Sequence, residues 1–141
     1  MTVERQYLGV YGIILKGDAL LLIKKSRGPY KGRWDLPGGG LHHGEGLKVA
    51  LVREIMEETG VIAKDADVYM NLSHLEEYNE EGKENSFHHI GIIYFVGEYD
   101  DTGFKSEKHE DVTQASWVSL EKLSEKNCSP FLWRIILNII G

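Results

Sequence analysis

The stretch GGLHHGEGLKVALVREIMEETGV, residues 39–61, joins a glycine-rich loop to a segment with helical periodicity. Apolar residues recur at helical spacing in its second half, so the pattern predicts a helix that begins near Gly46 or Leu47. Gly60 predicts the end of that helix, because glycine readily adopts the left-handed conformation of a C-terminal cap. The sequence therefore predicts one amphipathic helix in the middle of the chain.

Short apolar runs surround this helix and predict strands. The predicted extended segments are residues 7–16, 19–26, 67–78, 86–99 and 114–120, and residues 33–40 are predicted to be a short extended piece that ends in a flexible glycine loop. Gly17-Asp18 separates the first two runs and is typical of a β-hairpin. The segment 86–99 is apolar enough to be a central strand.

The C-terminal segment predicts a second helix. Ser129 is a suitable N-cap and Pro130 a suitable first-turn residue. The helix that follows is apolar almost all round, which indicates burial in the core or in a dimer contact. Strands before and between helices indicate an α/β (α+β) fold, an α/β/α sandwich around a mixed sheet.

The bulk composition excludes several classes of protein. A length of 141 residues predicts a single domain, residues 1–141. The net charge of −6 makes nucleic acid or an anionic membrane an unlikely partner. No apolar run approaches the roughly 18–20 residues of a membrane span. The single cysteine, Cys128, excludes an internal disulfide and is predicted to be a small buried hydrophobe in a cytoplasmic protein.

Three carboxylates crowd the end of the central helix. Glu54, Glu57 and Glu58 fall within an arc of about 100°. Like charges at i,i+4 cost about 0.2–0.5 kcal/mol, and negative charge in the last helical turn costs about 0.3–1 kcal/mol per residue. A bound cation reverses these penalties, and an all-oxygen site suits Mg²⁺ or Mn²⁺. The alternative is a solvated acidic face of the helix.

These residues together resemble the Nudix box. Gly39, Glu45 and the run Arg53-Glu54-Ile55-Met56-Glu57-Glu58-Thr59-Gly60-Val61 fill every fixed position of that motif within residues 39–61, and WDLPGG resembles its usual lead-in. The resemblance implies a Nudix-type fold and a MutT-like, divalent-metal-dependent hydrolase of pyrophosphate linkages in nucleotides.

The resemblance also implies roles for single residues. Glu57 and Glu58 are expected as the main metal ligands, Glu54 as a ligand or as a base that orients water, and the Gly38 carbonyl as a further ligand. Arg53 and Glu45 are expected to form an ion pair that positions the helix and the loop. Gly39 and Gly60 are expected to have structural roles in the motif, with Gly60 as the cap of the helix.

Many members of the family take a further acid from a loop late in the chain. The charged segment KSEKHED precedes Trp117 and is the natural place for it. Glu110 is the first choice and Glu107 the second. An exposed charged loop without a catalytic role is an equally good interpretation.

Candidate substrate contacts are spread along the chain. The segment 24–33 is a basic island in an acidic protein, and Arg27, Lys31 or Arg33 are candidates to meet phosphates, unless the island is only a solvated hairpin end. Tyr78 resembles a tyrosine of dinucleoside polyphosphate hydrolases, and Asn127 lies where nucleotide-sanitising members read a base. The proline that is common in ADP-ribose hydrolases of the family is missing.

The predicted activity is hydrolysis of a nucleoside diphosphate linked to another moiety: a nucleoside triphosphate, an oxidised nucleotide, a nucleotide sugar or a dinucleoside polyphosphate. The expected partner is thus a small nucleotide, bound by a monomer or a homodimer. An RNA 5′-end pyrophosphohydrolase is the first alternative, although the charge of −6 does not favour it. A non-catalytic Nudix-like binding module is the second, although such modules are expected to lose glutamates of the box.

Overall fold

Eight strands form two sheets in the computed structural model, which describes residues 1–106 and 112–141. In chain order the strands are β1 (Thr2–Ile13), β2 (Leu15–Lys16), β3 (Ala19–Lys25), β4 (Trp34–Asp35), β5 (Gly38–Gly40), β6 (Ile62–Glu80), β7 (Lys83–Asp100) and β8 (Val112–Ser119). The helices are α1 (Leu47–Thr59) and α2 (Pro130–Ile140), with a short 3-10 helix at Leu120–Lys122.

The larger sheet is mixed and has the order β5-β1-β7-β6. Strand β1 runs parallel to residues 84–95 of β7 along its whole length, whereas β5 and β6 pair antiparallel with their neighbours. The smaller sheet is antiparallel, with β3 between β8 and the short strands β2 and β4. The segment predicted as a central strand is therefore confirmed as interior strand β7.

The two helices cover opposite sides of the strands, which confirms the α/β/α sandwich. Leu51 and Ile55 of α1 belong to one buried cluster with Val10 of β1, while Phe131 of α2 belongs to another with Tyr11. Adjacent residues of β1 thus enter different clusters, as the alternation of side chains in a strand requires.

The bounds of the helices agree with the predictions. Helix α1 begins at Leu47, and Gly60 caps it in the left-handed conformation with φ 78°. At α2 the Ser129 side chain accepts a hydrogen bond from the Leu132 N–H, and Pro130 occupies the first turn. Both predictions are confirmed. Each depends only on residues that are adjacent in sequence, so it requires no knowledge of the tertiary structure.

Several strands are longer than predicted. Strand β1 begins at Thr2, because its polar first half pairs in register with residues 84–89 of the adjacent strand β7. The polar turn between β6 and β7 narrows to Glu81-Gly82, both with positive φ, which is the geometry of a tight hairpin turn. Pairing partners distant in sequence extended these strands beyond their apolar centres.

Helix α2 buries apolar side chains in the core of the protein. Phe131, Leu132 and Ile135 are fully buried, whereas Leu137 is 49% exposed and Ile140 is 62% exposed. Cys128 is completely buried, which confirms its prediction as a small hydrophobe. Within residues 1–106 and 112–141, no helix is long and apolar enough to span a membrane.

Candidate active site

A cavity of about 510 Å³ opens where α1, β1, β5 and β7 meet the loop that follows β3. Its acidic wall combines one residue of β4 with three of α1: Asp35, Glu54, Glu57 and Glu58. Glu58 and Asp35 are buried, Glu54 is largely buried, and Glu57 is 42% exposed. The crowded carboxylates of α1 therefore face a concave site.

Two glycines of β5 bring the backbone against these carboxylates. A Cβ at Gly39 would lie 2.9 Å from the carboxyl carbon of Glu54, and one at Gly38 would lie 2.0 Å from the Val10 carbonyl oxygen. Gly38 has φ 144°, and its N–H donates a 2.8 Å hydrogen bond to Glu58 Oε1. A side chain at Gly39 would push β5 away from Glu54 of α1, and one at Gly38 would push it away from β1.

Burial changes the acidity of the acidic wall. It raises the pKa of Glu58 to about 8, although the Gly38 N–H bond and the charge of Lys25 act in the opposite direction. Burial also raises the pKa of Asp35 to about 6, against Lys25, the Leu36 N–H and the Ser129 hydroxyl. Buried carboxylates of this kind are stable in ionised form only when a cation lies near them.

Arg53 ties the helix to the loop before it. Its Nε and Nη2 each donate a 2.8 Å hydrogen bond to Glu45, a bidentate ion pair, and Nη2 also donates to the Gly40 carbonyl at 3.1 Å. Its Nη1 reaches Glu54 at 3.0 Å and Glu57 at 3.4 Å. One guanidinium thus holds the loop and two of the crowded carboxylates together.

The chemistry of the donor set fits a hard divalent cation. Three carboxylates of α1 and the backbone of Gly38 offer only oxygen ligands, and the buried Glu58 needs a positive neighbour to ionise. No three acidic, histidine or cysteine side chains converge on one point as a preformed cation site in residues 1–106 and 112–141. Glu54 and Glu57 are engaged with Arg53, and Glu58 with the Gly38 N–H.

The basic residues of the cavity come from two places in the sequence. Arg27 lines it together with Lys25 from the end of β3 and Arg5 from β1. Lys31 and Arg33 belong to the same basic island, but they lie outside the lining, and Arg33 extends towards the Cys128 carbonyl at 3.5 Å. The first half of the basic island, with Lys25 and Arg27, therefore lines the cavity, and the second half, with Lys31 and Arg33, does not.

The remaining wall of the cavity is aromatic. It consists of Tyr7, Tyr11, Tyr30, Phe87 and His89. The ring centroids of Tyr7 and Phe87 are 6.1 Å apart, and the Arg5 guanidinium lies 5.3 Å from the Phe87 centroid. These rings can hold a planar apolar group, and Arg5 adds a cation beside them.

Other residues singled out from the sequence lie apart from the cavity or outside the described residues. Tyr78 does not line it, but its hydroxyl accepts a 2.6 Å bond from Arg5, which does. Asn127 closes the 124–127 turn, accepting from the Ser124 N–H and donating to the Lys122 carbonyl. Glu107 and Glu110 lie outside the described residues, so their role stays a prediction.

Sequence reasoning did not select most of the aromatic wall, Arg5 or Asp35. The signal was present in the alternation of the strands: Arg5, Tyr7 and Tyr11 are odd-numbered residues of β1, and Phe87 and His89 are alternate residues of β7. His88, between the latter two, faces away and contacts Gln6. This alternation indicates a shared wall of the cavity only when β1 and β7 are known to be neighbouring strands.

Comparisons with known proteins agree with this geometry. Residues 5–138 match the family model described as the NUDIX domain. An ADP-ribose pyrophosphatase of Methanocaldococcus jannaschii is 34% identical over 116 residues, which are 82% of this chain and 63% of that protein. A putative 8-oxo-dGTP diphosphatase 2 of Mycobacterium tuberculosis is 42% identical over 60 residues, which are 42% of this chain and 43% of that protein. The chain thus spans less than two thirds of the length of these two relatives.

Among solved structures, the MutT NUDIX hydrolase of Burkholderia pseudomallei superimposes with a TM-score of 0.77. The alignment covers 97% of this chain and 99% of that one at 24% identity, so it supports the fold.

Proposed function

The chain belongs to the Nudix family, and from this premise we propose that it is a nucleotide pyrophosphohydrolase that depends on Mg²⁺ or Mn²⁺. It cleaves a nucleoside diphosphate linked to another moiety by attack of water on the pyrophosphate. The buried, single Cys128 is consistent with work in a reducing compartment, the cytoplasm.

One observation carries the proposal: a single cavity joins three carboxylates of the Nudix helix to basic and aromatic walls. The carboxylates suit a divalent cation, the basic groups suit phosphates, and the aromatic rings suit a nucleobase. A non-catalytic module has no need for a buried acid such as Glu58, which is costly to ionise without a cation. The hydrolase therefore explains more of the site than the binding module does.

Glu54, Glu57 and Glu58 would hold the cation, with the Gly38 carbonyl as a further ligand. A bound divalent ion would neutralise charge on the phosphates and lower the pKa of water. The residues of the chain supply the framework for this chemistry. Arg53 holds Glu45, Glu54 and the Gly40 carbonyl in one network, so the loop and the helix keep a fixed relation.

The basic wall would position the substrate. Arg27 and Lys25 line the cavity, and the charge of Lys25 acts on both Asp35 and Glu58, where a pyrophosphate must sit to be cleaved. Fixed positive groups around a polyanion supply most of the electrostatic stabilisation in phosphoryl transfer. Lys31 and Arg33 remain candidates for a longer substrate that extends beyond the cavity.

The substrate we propose is a small nucleotide. The name of the M. jannaschii relative adds ADP-ribose to the candidates, and that of the M. tuberculosis relative supports oxidised nucleoside triphosphates. A cavity of about 510 Å³ holds one base and a short phosphate chain. This size supports a free nucleotide as the substrate, and the net charge of −6 does not favour RNA.

A substrate panel tests the proposal. Nucleoside triphosphates, 8-oxo-dGTP, ADP-ribose, nucleotide sugars, dinucleoside polyphosphates and triphosphorylated RNA are each incubated with Mg²⁺ or Mn²⁺, and monophosphate release is measured. We expect at least one free nucleotide to be cleaved with a kcat/KM well above that of the RNA. Preference for the RNA would favour the alternative activity, and no cleavage of any compound would contradict the proposal.

A further inference from the structure

A buried histidine joins two tyrosines in the aromatic wall. His89 Nε2 lies 2.6 Å from the Tyr11 hydroxyl, and His89 Nδ1 lies 3.2 Å from the Tyr30 hydroxyl. All three side chains are at least 95% buried, and all three line the cavity. The imidazole is stacked on Phe131 with ring centroids 4.1 Å apart, so it has little freedom to turn.

The imidazole of His89, which links the two tyrosines by hydrogen bonds, is neutral. Burial lowers the pKa of His89 to about 3, and the charges of Lys25 and His74 act in the same direction. Burial raises the pKa of both tyrosines, so the phenols keep their protons. A neutral imidazole has one N–H and one acceptor nitrogen. One phenol must therefore donate to His89 and the other must accept from it.

The distances assign the direction. A separation of 2.6 Å is typical of a hydroxyl donor, whereas 3.2 Å is within the range of an N–H donor. The Tyr11 hydroxyl also lies 2.3 Å from the position of a Cβ on Gly9, so it is enclosed by the backbone of its own strand. Tyr11 therefore donates to Nε2, and Nδ1–H donates to the Tyr30 oxygen.

This direction leaves the proton of the Tyr30 hydroxyl available. Among residues 1–106 and 112–141, the Tyr30 side chain makes no hydrogen bond other than that to His89. The Tyr30 hydroxyl lines the cavity, so a ligand bound there can accept this proton.

We propose that Tyr30 is a specificity-determining residue that donates a hydrogen bond to the nucleobase of the substrate, with His89 and Tyr11 as positioning residues. The inference rests on the proposed function for the identity of the ligand as a nucleotide. The acceptor is an in-plane atom of the base, either a ring nitrogen or a carbonyl oxygen.

The surroundings of Tyr30 favour a base over a phosphate as the partner. Its ring is 6.3 Å from Phe87 in an edge-on arrangement and 5.7 Å from His89. These are apolar neighbours suited to a flat ring. Burial, and then the charges of Asp35 and Glu76, raise the pKa of Tyr30, so the acidic groups near this hydroxyl disfavour a phosphate there.

Binding of non-hydrolysable ligands tests this assignment without turnover. The α,β-methylene analogues of ADP and UDP are titrated by calorimetry into the wild type and Tyr30→Phe, both with Mg²⁺, and methylenediphosphonate serves as the ligand without a base. Adenine accepts in the plane only at ring nitrogens, and uracil only at carbonyl oxygens. The matched control is Tyr99→Phe, which removes a hydroxyl bonded to the Leu15 carbonyl at 2.9 Å, outside the cavity.

We expect Tyr30→Phe to weaken binding of one or both nucleotide analogues by about tenfold, to leave methylenediphosphonate unchanged, and Tyr99→Phe to change neither. The base that loses affinity identifies the acceptor. Equal loss for all three ligands would mean that Tyr30 only supports the loop, and unchanged nucleotide binding would remove the hydrogen bond altogether. If the wild type hydrolyses nucleotides and Tyr30→Phe gives either of these two results, the role of Tyr30 is refuted and the proposed function is not. A wild type that binds neither nucleotide analogue and cleaves no compound of the substrate panel would refute it together with the proposed function.

Discussion

Glu58→Gln should stabilise the metal-free protein near neutral pH, although it removes a residue of the active site. Glu58 is buried, and its pKa is raised from 4.5 to about 8 by that burial. Below pH 4.5 the carboxyl is protonated in both states and has no effect. Between pH 4.5 and 8 unfolding releases a proton, so the wild type loses stability as the pH rises. Glutamine resembles the protonated carboxyl and is insensitive to pH.

The size of the effect follows from the width of this pH window. At pH 7 the wild-type carboxyl destabilises the folded state by roughly 3 kcal/mol relative to its protonated form. The amide oxygen of Gln can still accept the Gly38 N–H bond, but the new NH₂ group costs about 1 kcal/mol if it finds no acceptor. The net gain of roughly 2 kcal/mol corresponds to a Tm about 4–8 °C higher in a chain of this size.

Thermal melts in EDTA at pH 5, 6, 7 and 8 measure this gain, which should grow with pH. Glu57→Gln is the control, because it removes a charge from the same helix at a side chain that is 42% exposed, and its difference from the wild type should stay small at every pH. With millimolar Mg²⁺ the wild type should become the more stable protein, since it gains binding energy that Glu58→Gln largely lacks. A Glu58→Gln protein that melts lower than the wild type in EDTA at pH 8 would refute the reasoning.

Three further predictions concern the network around α1. Arg53→Ala should lower both Tm and kcat/KM, because Glu45 and Glu54 lose their shared partner; an unchanged melt with full activity would contradict this. Arg53 holds the pKa of Glu45 down to about 2, so the stability from this pair is present above pH 4.5 and is lost as the pH falls towards 2. Acid unfolding of Arg53→Ala should therefore show a shallower pH dependence than that of the wild type. Gly39→Ala should reduce the rate at least about tenfold, because its Cβ would displace the Glu54 carboxyl, and a normal rate would show that Glu54 can move freely.

The parts of the fold that depend on neighbouring residues were predictable. Helix α1 was found from its periodicity and from Gly60, and α2 from Ser129 and Pro130. The order of strands and helices followed from apolar runs and turn dipeptides. These signals are local, so no knowledge of the tertiary structure was required to interpret them.

The length of the strands and the aromatic wall of the cavity depend on contacts distant in sequence. The first half of β1 is polar and gives no strand signal of its own; it is a strand because β7 pairs with it. Tyr11 and His89 meet only through this parallel pairing. A single sequence does not reveal which strands are neighbours, and so most of these residues were not selected.

The basic island shows a different limit. Its five cations are close in sequence, but the chain turns between Lys25 and Arg33, with Gly28 and Gly32 at positive φ. Lys25 and Arg27 therefore line the cavity and Lys31 and Arg33 do not. Composition located the island correctly, but only the course of an irregular loop decides which side chains face a site.

The dependence of nucleotide hydrolysis on Mg²⁺, measured side by side for the wild type and Glu57→Gln, tests the central claim most directly. The release of nucleoside monophosphate is followed as Mg²⁺ is added to protein freed of metal with EDTA, with the best substrate of the panel. The wild type should be inactive in excess EDTA and rise to a saturating rate with Mg²⁺, while Glu57→Gln stays lower by orders of magnitude at every concentration. Full turnover of the wild type in excess EDTA, or equal rates for the two proteins, would contradict the assignment of these carboxylates to a metal site.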